Sequence, residues 1–131
     1  MTESDLRTFF DAYGAAFAHT ETEIATFYAA PCMTARQGAV RLHATRADVE
    51  RFFGAVLDQY RSQGISQGDL RSFTWQPLGA NACAATIAWA YRNAAGDMLF
   101  EWTFTYTLYR GAEGWKILLQ TMHDAAPPAV S

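Results

Sequence analysis

Apolar positions recur with two different periods along this chain. Near the start, Phe9, Phe10, Tyr13, Ala16 and Phe17 return at steps of three and four, which predicts one apolar face of a helix. Ser4 stands where a cap for that helix is expected. The polar run His19-Thr20-Glu21-Thr22-Glu23 breaks the pattern, and Thr20 or Thr22 can cap a short second helix carrying Ile24, Phe27 and Tyr28. Pro31 opposes its continuation and biases Ala30 toward extended geometry. Thr45-Arg46-Ala47-Asp48 reads as a capping box with Asp in place of the usual Glu. It opens a third helix whose Val49, Phe52, Phe53, Val56, Leu57 and Tyr60 share one side.

Elsewhere the period is two. Cys32 to Ala35 and Ala39 to His43 predict two short strands about a turn at Gln37-Gly38. After a loop bracketed by Gly64 and Gly68 come four longer candidates: Leu70 to Leu78, Ala82 to Arg92, Met98 to Arg110 and Trp115 to His123. Short turns at Gly79-Ala80-Asn81, Asn93 to Asp97 and Gly111 to Gly114 join them as a meander, so the sheet is expected to be mainly antiparallel. Helices first and long strands last predict an α+β fold, three N-terminal helices packed on one face of a strongly curved sheet. A strand of about 13 residues runs roughly 40 Å, and a sheet that long must twist and coil. Helices laid across it need not fill its concavity.

The third long strand sharpens this. In E-W-T-F-T-Y-T-L-Y-R, Trp102, Phe104, Tyr106 and Leu108 fall on one face, while Glu101, Thr103, Thr105, Thr107 and Tyr109 take the other. The aromatic face is assigned to the concave side, where it either lines a cavity or is solid core. The threonine face suits a flat surface that pairs with a second copy of the chain.

Composition narrows the function classes. The 131 residues fit one domain over 1–131 with 125–131 as a flexible tail, long enough to bury a core without disulfides or metal. Half the residues are hydrophobic and 15% are aromatic, which excludes disorder. A net charge of −3 without a basic stripe argues against nucleic acid. The uncharged runs contain Gln, Asn, Pro and Gly and are not membrane spans. M-T-E-S-D-L-R carries no secretory pattern, and Cys32 and Cys83 read as buried thiols, so a cytoplasmic location is expected. No metal-ligand spacing and no glycine-rich phosphate loop occurs, so no metal or cofactor is expected.

From Leu6 to Asp124 the chain resembles the nuclear transport factor 2-like (NTF2-like) superfamily, in its SnoaL-like and ketosteroid-isomerase-like branch. The resemblance rests on the aromatic first helix, on F-Y-A-A-P-C-M-T, on A-T-R-A-D-V-E-R-F-F and on the closing T-L-Y-R-G-A-E-G-W-K-I-L-L-Q-T-M-H-D hairpin. It implies a cone-shaped α+β barrel, a pocket between helices and concave sheet, and dimerisation through sheet surfaces. It implies no single reaction.

The chemistry is therefore tested residue by residue. The isomerase resemblance implies a helical Tyr and a strand Asp that bind an oxyanion, with an Asp as base. Tyr13 matches the first, Tyr106 stands near the second, and Arg36 stands near the base, where no carboxylate occurs between Glu23 and Asp48. Arginine does not abstract a proton at neutral pH. The Asp-Arg-Asp set of related epoxide hydrolases also lacks residues, since Asp97 and Glu101 fall at a turn and on the threonine face. A dehydratase of tyrosines and histidines has Tyr13, Tyr28, Tyr60, Tyr106, His43 and His123 to draw on. His123 is expected at the pocket mouth or as a strand-end residue bonded locally, and His43 reads as a loop histidine. Arg36 is either a solvated turn residue or a partner for a ligand carboxylate or phenolate. Trp115 is expected to pack in the final hairpin.

The expected site thus has Tyr13, Tyr106 and His123 as acid-base groups and Phe17, Tyr28, Arg36, Tyr60, Trp75, Trp89, Trp102, Phe104 and Gln120 around a ligand. The expected role is binding of a small hydrophobic, oxygen-bearing molecule. The alternative is an isomerase, cyclase or dehydratase on a polyketide- or steroid-like substrate.

Overall fold

Two reciprocal caps set the two long helices. In the computed structural model, which describes residues 1–124, α1 (Glu3–Ala16) starts from Thr2. The Thr2 hydroxyl accepts from the Asp5 amide at 3.1 Å and the Asp5 carboxylate accepts from the Thr2 amide at 3.0 Å. That exchange satisfies two otherwise orphaned donors, and it places the cap at Thr2, with the expected Ser4 already inside the helix. Helix α3 (Arg46–Ser62) begins with the same device at Thr45 and Asp48, as the sequence predicts. Between them α2 is only Glu21–Ala25, capped by Thr20. Tyr28 is not part of it: β1 (Tyr28–Arg36) has already begun there, and the expected strand start at Cys32 moves forward.

Strands β2 (Ala39–His43), β3 (Gln67–Pro77), β4 (Ala82–Arg92), β5 (Met98–Gly111) and β6 (Gly114–Met122) complete one sheet, in the order β2-β1-β6-β5-β4-β3. Every neighbouring pair is antiparallel except β1 with β6. Gly68, expected in a loop, lies in β3 opposite Tyr91. The Gln37-Gly38 turn has both φ angles positive, at 50° and 80°, as a two-residue hairpin between right-twisted strands requires. The expected tail at 125–131 lies outside the described residues.

Register decides which side chains share the concave face. Ala85 faces Tyr106, Ile87 faces Phe104 and Trp89 faces Trp102 across β4 and β5. Tyr106 faces Gln120 across β5 and β6, and Thr34 faces Gln120 across β1 and β6. Helix α1 lies against β3, and α3 lies over β1 with α2 beside it. Leu6, Phe10, Ile24, Phe53, Leu57, Ile87, Leu108 and Ile117 fill the space between helices and sheet. Gly14 marks the closest approach of α1 to the sheet: a Cβ there would lie 2.7 Å from the Gly68 carbonyl oxygen and 2.9 Å from the Trp89 ring.

Candidate functional site

The concave face is sealed at one end and hollow at the other. Beneath α1, Tyr13 is almost fully buried and packs edge-on against Phe10, Phe17 and Tyr106. The polar ends of this cluster are spent on one another. Tyr13 and Tyr28 hydroxyls meet at 2.6 Å, Gln120 Nε2 donates to the Tyr28 hydroxyl at 2.9 Å, and Trp89 Nε1 donates to the Tyr106 hydroxyl at 2.9 Å. Burial, followed by the neighbouring phenols, raises Tyr13, Tyr28 and Tyr106 well above the ordinary tyrosine value. They therefore stay protonated at physiological pH and serve as hydrogen-bonding groups, not as bases.

Beneath α3 a cleft of about 1040 Å³ opens. Helix α3 supplies Phe52, Val56 and Tyr60, the β1–β2 hairpin supplies Thr34, Arg36 and His43, and the strands supply Tyr91, Phe100, Trp102, Phe104 and Met122. A second, inner chamber lies deeper, between Tyr13, Phe17, Trp89, Tyr106 and Gln120. Its free space is about 20 Å³, room for a single water. Arg36, Tyr60, Tyr91 and Phe104 border both spaces.

Two polar groups stand out here. Gln120 is 3% exposed, and its Oε1 has no partner although Nε2 is bonded to Tyr28. His43 is buried in the cleft wall, its Nε2 2.9 Å from the Thr34 hydroxyl and its ring 4.7 Å from that of Phe52. Burial first, then Arg41, lowers the His43 pKa, with Asp48 pulling the other way. The imidazole is thus neutral near pH 7.

The expected residues divide between the two spaces. Trp102 and Phe104 line the cleft, Phe17, Trp89 and Gln120 line the inner chamber, and Tyr60 and Arg36 touch both. Tyr28 borders neither space and contributes through its bond to Gln120. Tyr13 and Tyr106 border only the inner chamber. Two expected residues border neither space, and of its two expected positions His123 takes the locally bonded strand end. His123 lies on the threonine face of the sheet, its Nε2 2.7 Å from the Thr105 hydroxyl, because Met122 before it points into the cleft. Trp75 shares the concave face but sits past the sealed end, opposite Ala85 and packed against the core, away from either space.

The sequence reading missed His43, Thr34 and Phe52 as a group. Thr34 and Arg36 are same-face neighbours in β1, but the expected strand end at Ala35 leaves Arg36 outside the run. Trp115 packs under Arg110 in the final hairpin, 5.7 Å from the guanidinium carbon. Among the described residues, no three His, Cys, Asp or Glu side chains form a metal-binding group, and no helix is long and apolar enough to cross a membrane.

Residues 3–125 match the family model described as "NTF2-like protein (DUF6841)". Among proteins with curated descriptions, none matches the chain by sequence. Solved structures with the same fold include a domain of unknown function with a cystatin-like fold from Nostoc punctiforme. It aligns with a TM-score of 0.74 at 13% identity over 96% of this chain and 78% of that one. An NTF2-like protein with a cystatin-like fold from Novosphingobium aromaticivorans aligns with a TM-score of 0.70 at 15% identity, over 91% and 79% of the two chains. An NTF2-like protein of unknown function from Shewanella oneidensis aligns with a TM-score of 0.67 at 17% identity, over 95% and 100%. At these identities the likeness is one of fold.

Proposed function

Because this chain belongs to the NTF2-like family, a fold that dictates no reaction by itself, we propose from its site that it binds a small hydrophobic, oxygen-bearing molecule. The observation that carries this reading is the cleft under α3, which is large enough for a drug-sized ligand and walled by Phe52, Phe100, Trp102 and Phe104. Rings supply contact area, and Thr34, Arg36 and His43 supply the few polar contacts that would fix orientation.

The test fills the hollow without touching the core. Ala55 lines the cleft from the exposed side of α3, so Ala55→Phe should leave the melting temperature of the free protein almost unchanged. Members of an oxygenated aromatic library that raise the wild-type melting temperature should lose that effect in Ala55→Phe. A library that never shifts the wild type, or shifts both proteins alike, would remove the proposal.

A second reading, an isomerase, cyclase or dehydratase on a polyketide- or steroid-like substrate, is favoured by one observation, the neutral His43 held on Thr34 inside the cleft. In that reading His43 takes the acid-base part first given to His123. We also propose that the chain pairs with a second copy through the convex sheet face, where Thr86 and Thr105 hydroxyls lie 2.8 Å apart among other threonines. Thr105→Lys should convert a sedimenting dimer to monomer, and an unchanged dimer would exclude that face.

A further inference from the structure

Two cleft arginines, Arg36 and Arg41, have no hydrogen-bond or carboxylate partner among the described residues, and of the two Arg41 is exposed while Arg36 is half-buried and packed on rings. Arg46, Arg51, Arg71 and Arg92 are each paired with a carboxylate. Arg61 and Arg110 donate to His19 and Asn81 oxygens. The Arg36 guanidinium has neither kind of partner among the described residues. It lies instead between two rings, with its central carbon 5.7 Å from the Phe52 centroid and 5.8 Å from the Phe104 centroid. Such packing holds a planar cation in place while leaving its edge donors free.

The surroundings have the same sign. Three arginines, Arg36, Arg41 and Arg51, line the cleft against one carboxylate, Asp48. Asp48 is already committed to the Thr45 cap and to Arg51 at 3.0 Å. The cleft therefore carries a positive excess on a chain whose net charge is −3. Arg36 also borders the inner chamber, and there stands the Gln120 amide with one end spent on Tyr28 and the other unspent. A buried polar atom left without a partner costs free energy, and an oxygen-bearing group or one water at that point would recover it. The cation, which borders both spaces, and the amide, which lines the inner one, thus offer the polar end of a ligand two successive partners, with the ring of Phe104 bordering both spaces as well.

Building on the binding function proposed above, we infer that the ligand class is an aromatic carboxylate. Its ring system lies along Phe52, Trp102 and Phe104, its carboxylate takes the free edge of Arg36, and an oxygen or one water continues to Gln120. A planar carboxylate matches the guanidinium fork through two parallel hydrogen bonds, which a neutral amide of the same shape cannot match. His43, uncharged near pH 7, adds no competing ion.

The test compares 2-naphthoate with 2-naphthamide, equal in shape and different in charge, by calorimetric titration. Wild type should bind the carboxylate roughly ten-fold or more tightly than the amide. Arg36→Gln should erase that preference while keeping the affinity for the amide, and Arg36→Lys, which keeps the charge without the fork, should retain part of it. Equal binding of both compounds by wild type would overturn the carboxylate assignment and leave the binding cleft standing. A preference that survives in Arg36→Gln would overturn the role of Arg36. Binding of neither compound would overturn the assignment and the cleft reading together. The wild-type comparison needs no variant, so a failure of Arg36→Gln to fold does not remove the test.

Discussion

Beneath α1, Phe10 meets Tyr106 at 4.9 Å and Tyr13 meets Trp89 at 6.0 Å between ring centres, and the buried hydroxyls there are bonded. Beneath α3, Phe52, Phe100, Trp102 and Phe104 surround a hollow of about 1040 Å³, bordered by the Arg36 guanidinium with no carboxylate partner among the described residues. Both regions lie on one concave sheet face and both are rich in rings. The difference is the distance at which each helix stands. Gly14 lets α1 come down until its backbone nearly touches Gly68 and Trp89, whereas α3 meets the sheet through long side chains, Tyr60 edge-on to Tyr91 at 5.5 Å, with open space between Phe52 and Trp102. An aromatic stripe therefore marks neither a core nor a pocket until the element above it is placed.

Ring deletion gives the widest contrast between the two ends. Phe10→Ala should cost about 3–5 kcal/mol, because the fully buried ring leaves a cavity that close neighbours cannot collapse. Phe52→Ala should cost only about 1–2 kcal/mol, since that ring is half-exposed at the cleft. Urea unfolding of both variants decides the matter, and equal losses would mean that the two ends are packed alike.

A smaller effect follows at the point of closest approach. Gly14→Ala sets a methyl 2.7 Å from a backbone oxygen that has no freedom to turn aside. Its better helix propensity is worth about 1 kcal/mol, and the forced separation of α1 from the sheet should outweigh it, with a net loss of about 1–3 kcal/mol. A variant that melts at or above the wild-type temperature would show that α1 is free to lift.

The smallest effect belongs to His43. In the folded chain its pKa lies below the ordinary 6.5, so the unfolded chain takes up the proton first as pH falls. Its contribution to stability is complete above 6.5 and declines as pH drops through the folded value. The lowered pKa values of Asp5 and Asp48 act in a separate window, below 3.8. Urea midpoints measured on either side of 6.5 should show the first decline in wild type and not in His43→Gln. Parallel curves for the two proteins would place His43 in water.

Much of this architecture was legible in order along the chain. Local rules act over three or four residues, so the Thr45–Asp48 cap, the Gln37–Gly38 turn and the alternation in β5 announce themselves. The same alternation placed Trp102, Phe104 and Tyr106 together on the concave face. It failed where a boundary slipped. Starting β1 at Cys32 hid the pairing of Tyr28 with β6, and carrying His123 into the pocket ignored that Met122 takes the inward position.

The sequence by itself determined the order and type of the helices and strands, though not every boundary, and which face of β5 is apolar, because those follow from backbone period and capping. Only the tertiary structure decided that Tyr13, Tyr28 and Tyr106 are locked into one buried cluster, that His43 belongs to the cleft, and that Arg36 and Gln120 border one inner chamber with bonding capacity to spare. These depend on the spacing between layers and on which partners, 86 positions apart in the chain for Thr34 and Gln120, the sheet register brings together. No local pattern encodes a separation of that length.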